Sequence, residues 1–188
     1  LVEIEKESFS DTYGKFVVQP LERGFGVTLG HSLRRILLSS IQGAAIKLVN
    51  IQGVQHEFSV VEGVREDIPE IILNLKEVAL RYQGEDDRVL NIEKTGAGEL
   101  LAKDLAVDPS VEILNPDLHI ATLGEGATLH MELTVGQGHG YSFAEENKMP
   151  DQPIGSIPID SSFSPVIKVK YDTENARVGR RTDYDKLD

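Results

Sequence analysis

Apolar and polar positions follow two rhythms along this chain. Val2 and Ile4 alternate with acids, and Lys15-Phe16-Val17-Val18 follows the turn signal Asp11-Thr12-Tyr13-Gly14, so residues 2–20 read as extended structure. Pro20-Leu21-Glu22-Arg23-Gly24-Phe25-Gly26 reads as a loop. The spacing then predicts a helix from about Thr28 to Ile41, ended at Gly43. Residues 44–62 return to strands, with Ile46, Leu48, Asn50 and Ile51 leading to a turn at Gly53 and then Glu57-Phe58-Ser59-Val60. A second helix is predicted to open at Asp67. Its carboxylate suits a cap, Ile68 and Pro69 suit the first turn, and Glu70 stands where a capping box needs an acid. Ile68, Ile71, Ile72, Leu75 and Ala79 then recur at helical spacing.

From Gly84 to Pro165 the pattern is mostly strand and turn, with short strands at Val89–Ile92, Val111–Ile113 and Leu118–Ile120. Thr128–Val135 alternates strictly, and Gly136, Gly138 and Gly140 are expected to break it. The acidic, Pro-containing stretch 144–153 reads as a surface loop or mobile segment. Val166–Tyr171 reads as a final strand and Arg177–Asp188 as a polar, charged tail. There is no internal repeat. Two helices among many strands, without regular alternation, predict an α+β fold.

Composition narrows the function. The chain has 188 residues, 40% of them apolar, with no Trp, so a real core is expected to rest on Leu, Ile and Val. A net charge of −12 argues against a phosphate clamp, because grip on nucleic acid comes from Lys and Arg displacing counterions. The absence of Cys excludes disulfides and Cys-based zinc sites and fits a cytoplasmic setting. No run reaches the ~18 apolar residues of a membrane helix, so no membrane association is expected. The first residues lack a signal-peptide layout, and Leu1 predicts a start residue upstream.

The chemistry-bearing patterns are few. Gly24-x-Gly26-x-x-x-Gly30 lies where a phosphate loop would sit, between strand and helix. Its spacing is one residue longer than the dinucleotide fingerprint, and no Lys-Ser/Thr pair follows. A structural turn allowing close packing is the better reading, with a nucleotide-dependent protein as the alternative. On the first helix, Leu29, Leu33, Ile36, Leu37 and Ile41 share one face, expected to be core. Leu38 falls opposite with His31, flanked by Arg34 and Arg35. That group is either a docking surface or a solvated basic face with one exposed Leu. His31, His56, His119, His130 and His139 form no ligand pair, so neither metal nor cofactor is expected. No nucleophile elbow or Ser-His-Asp pattern is present, and catalytic residues are not expected. The acid runs Glu85-Asp86-Asp87 and Glu145-Glu146 read as solvated loops, and Gly136–Tyr141 as an irregular turn.

The run from Pro20 through Gly24-Phe25-Gly26-Val27-Thr28-Leu29-Gly30-His31-Ser32-Leu33-Arg34-Arg35-Ile36-Leu37-Leu38 to Ser40 closely resembles the signature of bacterial RNA polymerase α subunits. Three further blocks agree, in the family's order. They are Glu62–Ile68 running to Leu73-Asn74-Leu75-Lys76, Pro153-Ile154-Gly155 followed by Phe163-Ser164-Pro165-Val166, and Asn175–Val178 through Arg181–Leu187. The blocks span nearly the whole chain, which makes the match far more specific than the glycine run alone.

The resemblance implies a discontinuous dimerisation subdomain, residues 1–42 plus 163–188, with a β-rich subdomain inserted at 43–162. It implies a non-catalytic scaffold that pairs with a second α subunit and docks the polymerase β and β′ subunits. Phe25, Leu29, Leu33, Ile36 and Leu37 are then expected at the dimer interface. Arg34, Arg35, Leu38, Lys76, Arg177 and Arg181 are expected toward β or β′. The family continues past Asp183-Tyr184-Asp185-Lys186-Leu187 into a strand, a long dimer-forming helix, a flexible linker and a DNA-binding domain. No direct DNA contact is therefore expected from residues 1–188.

Overall fold

The computed structural model describes residues 1–150 and 152–188. In chain order the elements are β1 (Val2–Ile4), β2 (Phe16–Leu21), α1 (Phe25–Ser39), β3 (Gln42–Ile51), α2 (Ile68–Lys76), β4 (Leu80–Tyr82), β5 (Arg88–Thr95) and β6 (Gly98–Leu101). After a 3-10 turn at Ala102–Leu105 come β7 (Val111–Ile113), β8 (His119–Leu123), β9 (Thr128–His139), β10 (Tyr141–Ser142), β11 (Ser156–Pro158), β12 (Ser161–Ser162), β13 (Thr173–Val178) and β14 (Arg181–Leu187). The fold is α+β, as the sequence pattern predicts. The chain divides into two compact units, Leu1–Ser40 with Val166–Asp188, and Ile41–Pro165.

The discontinuous unit is an antiparallel sheet in the order β1-β2-β14-β13, joined by α1. The expected polar tail is therefore a hairpin that supplies half of this sheet. β13 begins at Thr173, so Val166–Tyr171, expected as a final strand, is irregular chain leading into it. Helix α1 starts three residues earlier than its apolar rhythm suggests. Gly24 takes φ 89°, a left-handed turn that suits a residue without Cβ. Because Gly24 offers no side chain to cap the helix, β14 supplies one. The Gly24 and Gly26 N–H groups donate to Asp185 Oδ2 at 2.8 and 3.1 Å. A carboxylate there meets both the orphan donors and the positive end of the helix dipole. Asp185→Ala is expected to lower the stability of this unit by about 1 kcal/mol. Chemical denaturation checks this, and an unchanged midpoint would remove Asp185 from that role.

In the inserted unit, β5-β9-β3-β4-β7 form the main sheet, with β11 also paired to β3. The pairs β6-β8 and β10-β12 complete it. Asp67 Oδ1 accepts the Glu70 N–H at 2.9 Å, so α2 is capped as its sequence predicts. Ile68, Ile71 and Leu75 are buried, in one core cluster with Val49, Ile51, Leu90, Ile120 and Leu133. Full burial of one such side chain stabilises by about 1.5–3 kcal/mol, which makes this core the main source of the unit's stability.

Two expectations for this unit need correction. Strand β9 runs to His139 instead of breaking at Gly136. Gly138 is required by its neighbour, since a Cβ there would lie 2.7 Å from the Phe163 ring, whereas one at Gly136 would meet only the movable side chains of Asp87 and Lys47. Pairing of Gly138 with Gly43 and of Gly136 with Ala45 then carries the ladder onward. Glu57–Val60 is no strand. Phe58 is 80% exposed, and its segment lies in no sheet among the described residues. The stretch 144–153 includes Asp151, which lies outside the described residues. Within it Asn147 is buried, donating to Ile159 O at 2.7 Å, so this part is pinned to the core.

Glu66 is a buried carboxylate, 6% exposed. Burial alone would push its pKa up. The Thr122 N–H at 2.6 Å, His119 Nε2 at 2.9 Å and the Thr122 hydroxyl at 2.9 Å outweigh it and hold the carboxyl near a pKa of about 2, against an ordinary 4.5. With the folded value depressed, this stabilisation is complete above about pH 4.5 and is lost as pH falls toward 2. The melting-temperature gap between wild type and Glu66→Gln is expected to narrow over that window. A gap independent of pH would show that ionised Glu66 contributes nothing.

Candidate functional site

Helix α1 presents three faces. The first carries Gly26 and Gly30, the buried residues of the helix. A Cβ on Gly26 would lie 3.0 Å from Thr173 Cγ2 and 3.1 Å from Asp185 Cβ, and one on Gly30 would overlap the Tyr171 ring. Glycine at four-residue spacing lets the helix backbone approach its own sheet. It also answers the nucleotide alternative. The backbone donors that a phosphate would need are held by Asp185, and the glycine surface is covered.

The second face carries the apolar stripe, and here the sequence expectation fails. Phe25 is 51% exposed, Leu33 45% and Ile36 53%, and Leu29 is exposed too. Leu37 is half-buried, and Ile41, expected on the same face, lies beyond the end of α1 in the inserted unit. Among the described residues of the discontinuous unit only Gly26, Gly30 and Leu187 are buried. An apolar helix stripe predicts burial against something, and in this unit the sheet takes the glycines instead. An exposed apolar surface of this kind makes the stripe a candidate protein–protein contact.

The third face lies on the other flank. His31, Arg34, Arg35, Leu38 and Ser39 line a cleft of about 450 Å³ with Tyr171, which comes from the segment preceding β13. The spacing argument groups the first four of these, and the structure brings them together. Leu38 is half-buried, while both arginines are exposed. Neither guanidinium has a carboxylate partner among the described residues. The Tyr171 ring meets the His31 ring edge-on, centroids 5.5 Å apart.

The remaining basic residues stand elsewhere. Lys76, at the end of α2 in the inserted unit, is held by Asp160 at 2.8 Å. Arg177 and Arg181 are exposed on the β13–β14 hairpin, where Arg177 Nε donates to Gly179 O at 2.9 Å. No group of three or more His, Asp or Glu residues among the described ones is placed to hold a metal. No helix among them is long and apolar enough to cross a membrane.

Residues 49–164 match the family model described as the RNA polymerase Rpb3/RpoA insert domain. The chain belongs to the bacterial RNA polymerase α-subunit family. The DNA-directed RNA polymerase subunit alpha of Carboxydothermus hydrogenoformans is 57% identical over 184 residues, covering 98% of this chain and 59% of that protein. The subunit alpha of Desulforudis audaxviator is 58% identical over 186 residues, 99% of this chain and 58% of its own length. That of Symbiobacterium thermophilum is 58% identical over 177 residues, 94% of this chain and 56% of its own. The chain thus spans a little under three-fifths of the length of these curated relatives. The family model covers Lys76, whereas α1 and its cleft are covered by the relatives.

Sequence reasoning about this α-subunit chain missed Tyr171, Ser39 and Asp185. The glycine spacing on α1 signalled a close approach by something, but no pattern in one sequence could say which residue, 141 or 159 positions away, would fill it.

Proposed function

We propose that the chain is a non-catalytic assembly subunit of bacterial DNA-directed RNA polymerase, acting in the cytoplasm. Two copies pair, and the dimer docks the β and β′ subunits for DNA-templated transcription. The observation that carries this reading is the division of α1 into two exposed faces separated by the buried Gly26–Gly30 stripe. Phe25, Leu29, Leu33, Ile36 and the half-buried Leu37 serve the second copy about a two-fold axis. Arg34, Arg35 and Leu38 serve β on one copy and β′ on the other. A symmetric dimer that meets two different partners uses equivalent surfaces unequally.

In this reading the discontinuous unit carries dimerisation. Lys76 in the inserted unit, and Arg177 and Arg181 on the last hairpin, add contacts with the large subunits. Lys76 reaches a partner by sharing or exchanging Asp160. The relatives' shared printed name, DNA-directed RNA polymerase subunit alpha, supports membership in that complex. No direct DNA contact is assigned to residues 1–188, and no cofactor is required.

The test is capture of the cognate β subunit by the purified chain, with sedimentation on the same sample. A dimer that retains β is the expected result. A dimer that ignores β would overturn the docking assignment.

A further inference from the structure

We infer that the cleft between α1 and Tyr171 takes an acidic–apolar segment of the partner polypeptide: a carboxylate forked by Arg34 and Arg35, beside an apolar side chain laid on Leu38 and the Tyr171 ring. The inference rests on the docking role proposed above and adds the chemistry of what is docked.

Charge is the first argument. The chain carries a net charge of −12, yet this cleft holds two guanidinium groups without an internal carboxylate. Planar guanidinium forks match carboxylates in a bidentate way that a lysine cannot. Shape is the second. The floor is half-buried Leu38 and one wall is an aromatic ring, so the occupant must offer an apolar side chain next to its charge. Such a wall disfavours a nucleic-acid backbone, which presents phosphates in series and needs a longer basic track.

The position of the wall is the third argument. Tyr171 precedes the first residue of β13 by two positions, and Gly30 provides the notch in which its ring lies. The neighbouring His31 ring meets it edge-on. Tyr171 is thereby a positioning and contact residue of the docking surface, held by the same glycine that seats α1 on its sheet. The ring is what counts, since it is the Tyr171 ring that lies against Gly30 and His31 and walls the cleft.

The experiment uses the full-length α subunit and its cognate β subunit. Tyr171→Ala is expected to weaken β capture about tenfold, and Tyr171→Phe to leave it within about twofold. Both variants should remain folded and dimeric by circular dichroism and sedimentation. A photoreactive residue at the cleft rim (Ser39→p-benzoylphenylalanine) should cross-link to one β peptide containing Asp or Glu near an aliphatic or aromatic residue. Reversing that β carboxylate to Lys should restore capture by Arg35→Glu. A cross-linked peptide without a carboxylate, a failed charge swap, or cross-linking to nucleic acid would overturn the inference while leaving β docking intact. Loss of β capture by the wild-type chain itself would overturn the docking role and this inference together.

Discussion

Leu33→Asp combined with Ile36→Asp is expected to leave the chain folded and to convert the proposed dimer into a monomer. Neither side chain belongs to the core of its own copy, where they are 45% and 53% exposed, so their replacement removes no internal packing of consequence. In a two-fold contact each position occurs twice. Covering the remaining exposed surface of each Leu or Ile gains about 1 kcal/mol, and the double variant loses this at four sites, about 4 kcal/mol. The substitutions also bring four carboxylates into an apolar contact, where desolvation opposes ionised groups. Dissociation should rise by at least about a thousandfold. Sedimentation velocity across a concentration series measures this directly. A variant that still sediments as a dimer would exclude this face from the interface. A variant that loses its circular dichroism signal would show instead that the stripe is internal core after all.

Arg35→Ala is expected to spare both fold and dimer while weakening β capture about thirtyfold, the effect of losing about 2 kcal/mol at a central, desolvated contact. The guanidinium is exposed and has no carboxylate partner among the described residues, so its loss should leave the unit folded. Arg35→Lys should recover only part of the loss, because an ammonium keeps the charge but not the fork. Titration of immobilised β with each variant measures the change. Undiminished binding by folded, dimeric Arg35→Ala would move the assignment away from this arginine. The two predictions are independent, since they act on faces of α1 divided by the Gly26–Gly30 stripe.

Short-range pattern was enough to read most of the local structure, and the longer motif blocks were enough to read the family. The Asp67 cap, the helical recurrence of Ile68, Ile71 and Leu75, and the alternation that opens β9 are short-range signals, and the structure follows them. The pairing of Leu38 with His31, Arg34 and Arg35 was legible too, because residues on one helix face are fixed by a constant angle per residue. Which face of α1 points inward was set by packing between remote parts of the chain. Apolar periodicity announces that a stripe will be covered, but not whether its cover belongs to the same copy. On α1 the smallest side chains face the sheet and the large ones face out, since a helix seated through Gly26 and Gly30 comes closer to β13, β14 and Tyr171 than a Leu stripe would allow. The same holds for Asp185 capping a helix 159 residues before it, and for the glycines that carry β9 past its expected end. Each depends on a neighbour remote in sequence, and local pattern carries no record of which remote residues will meet.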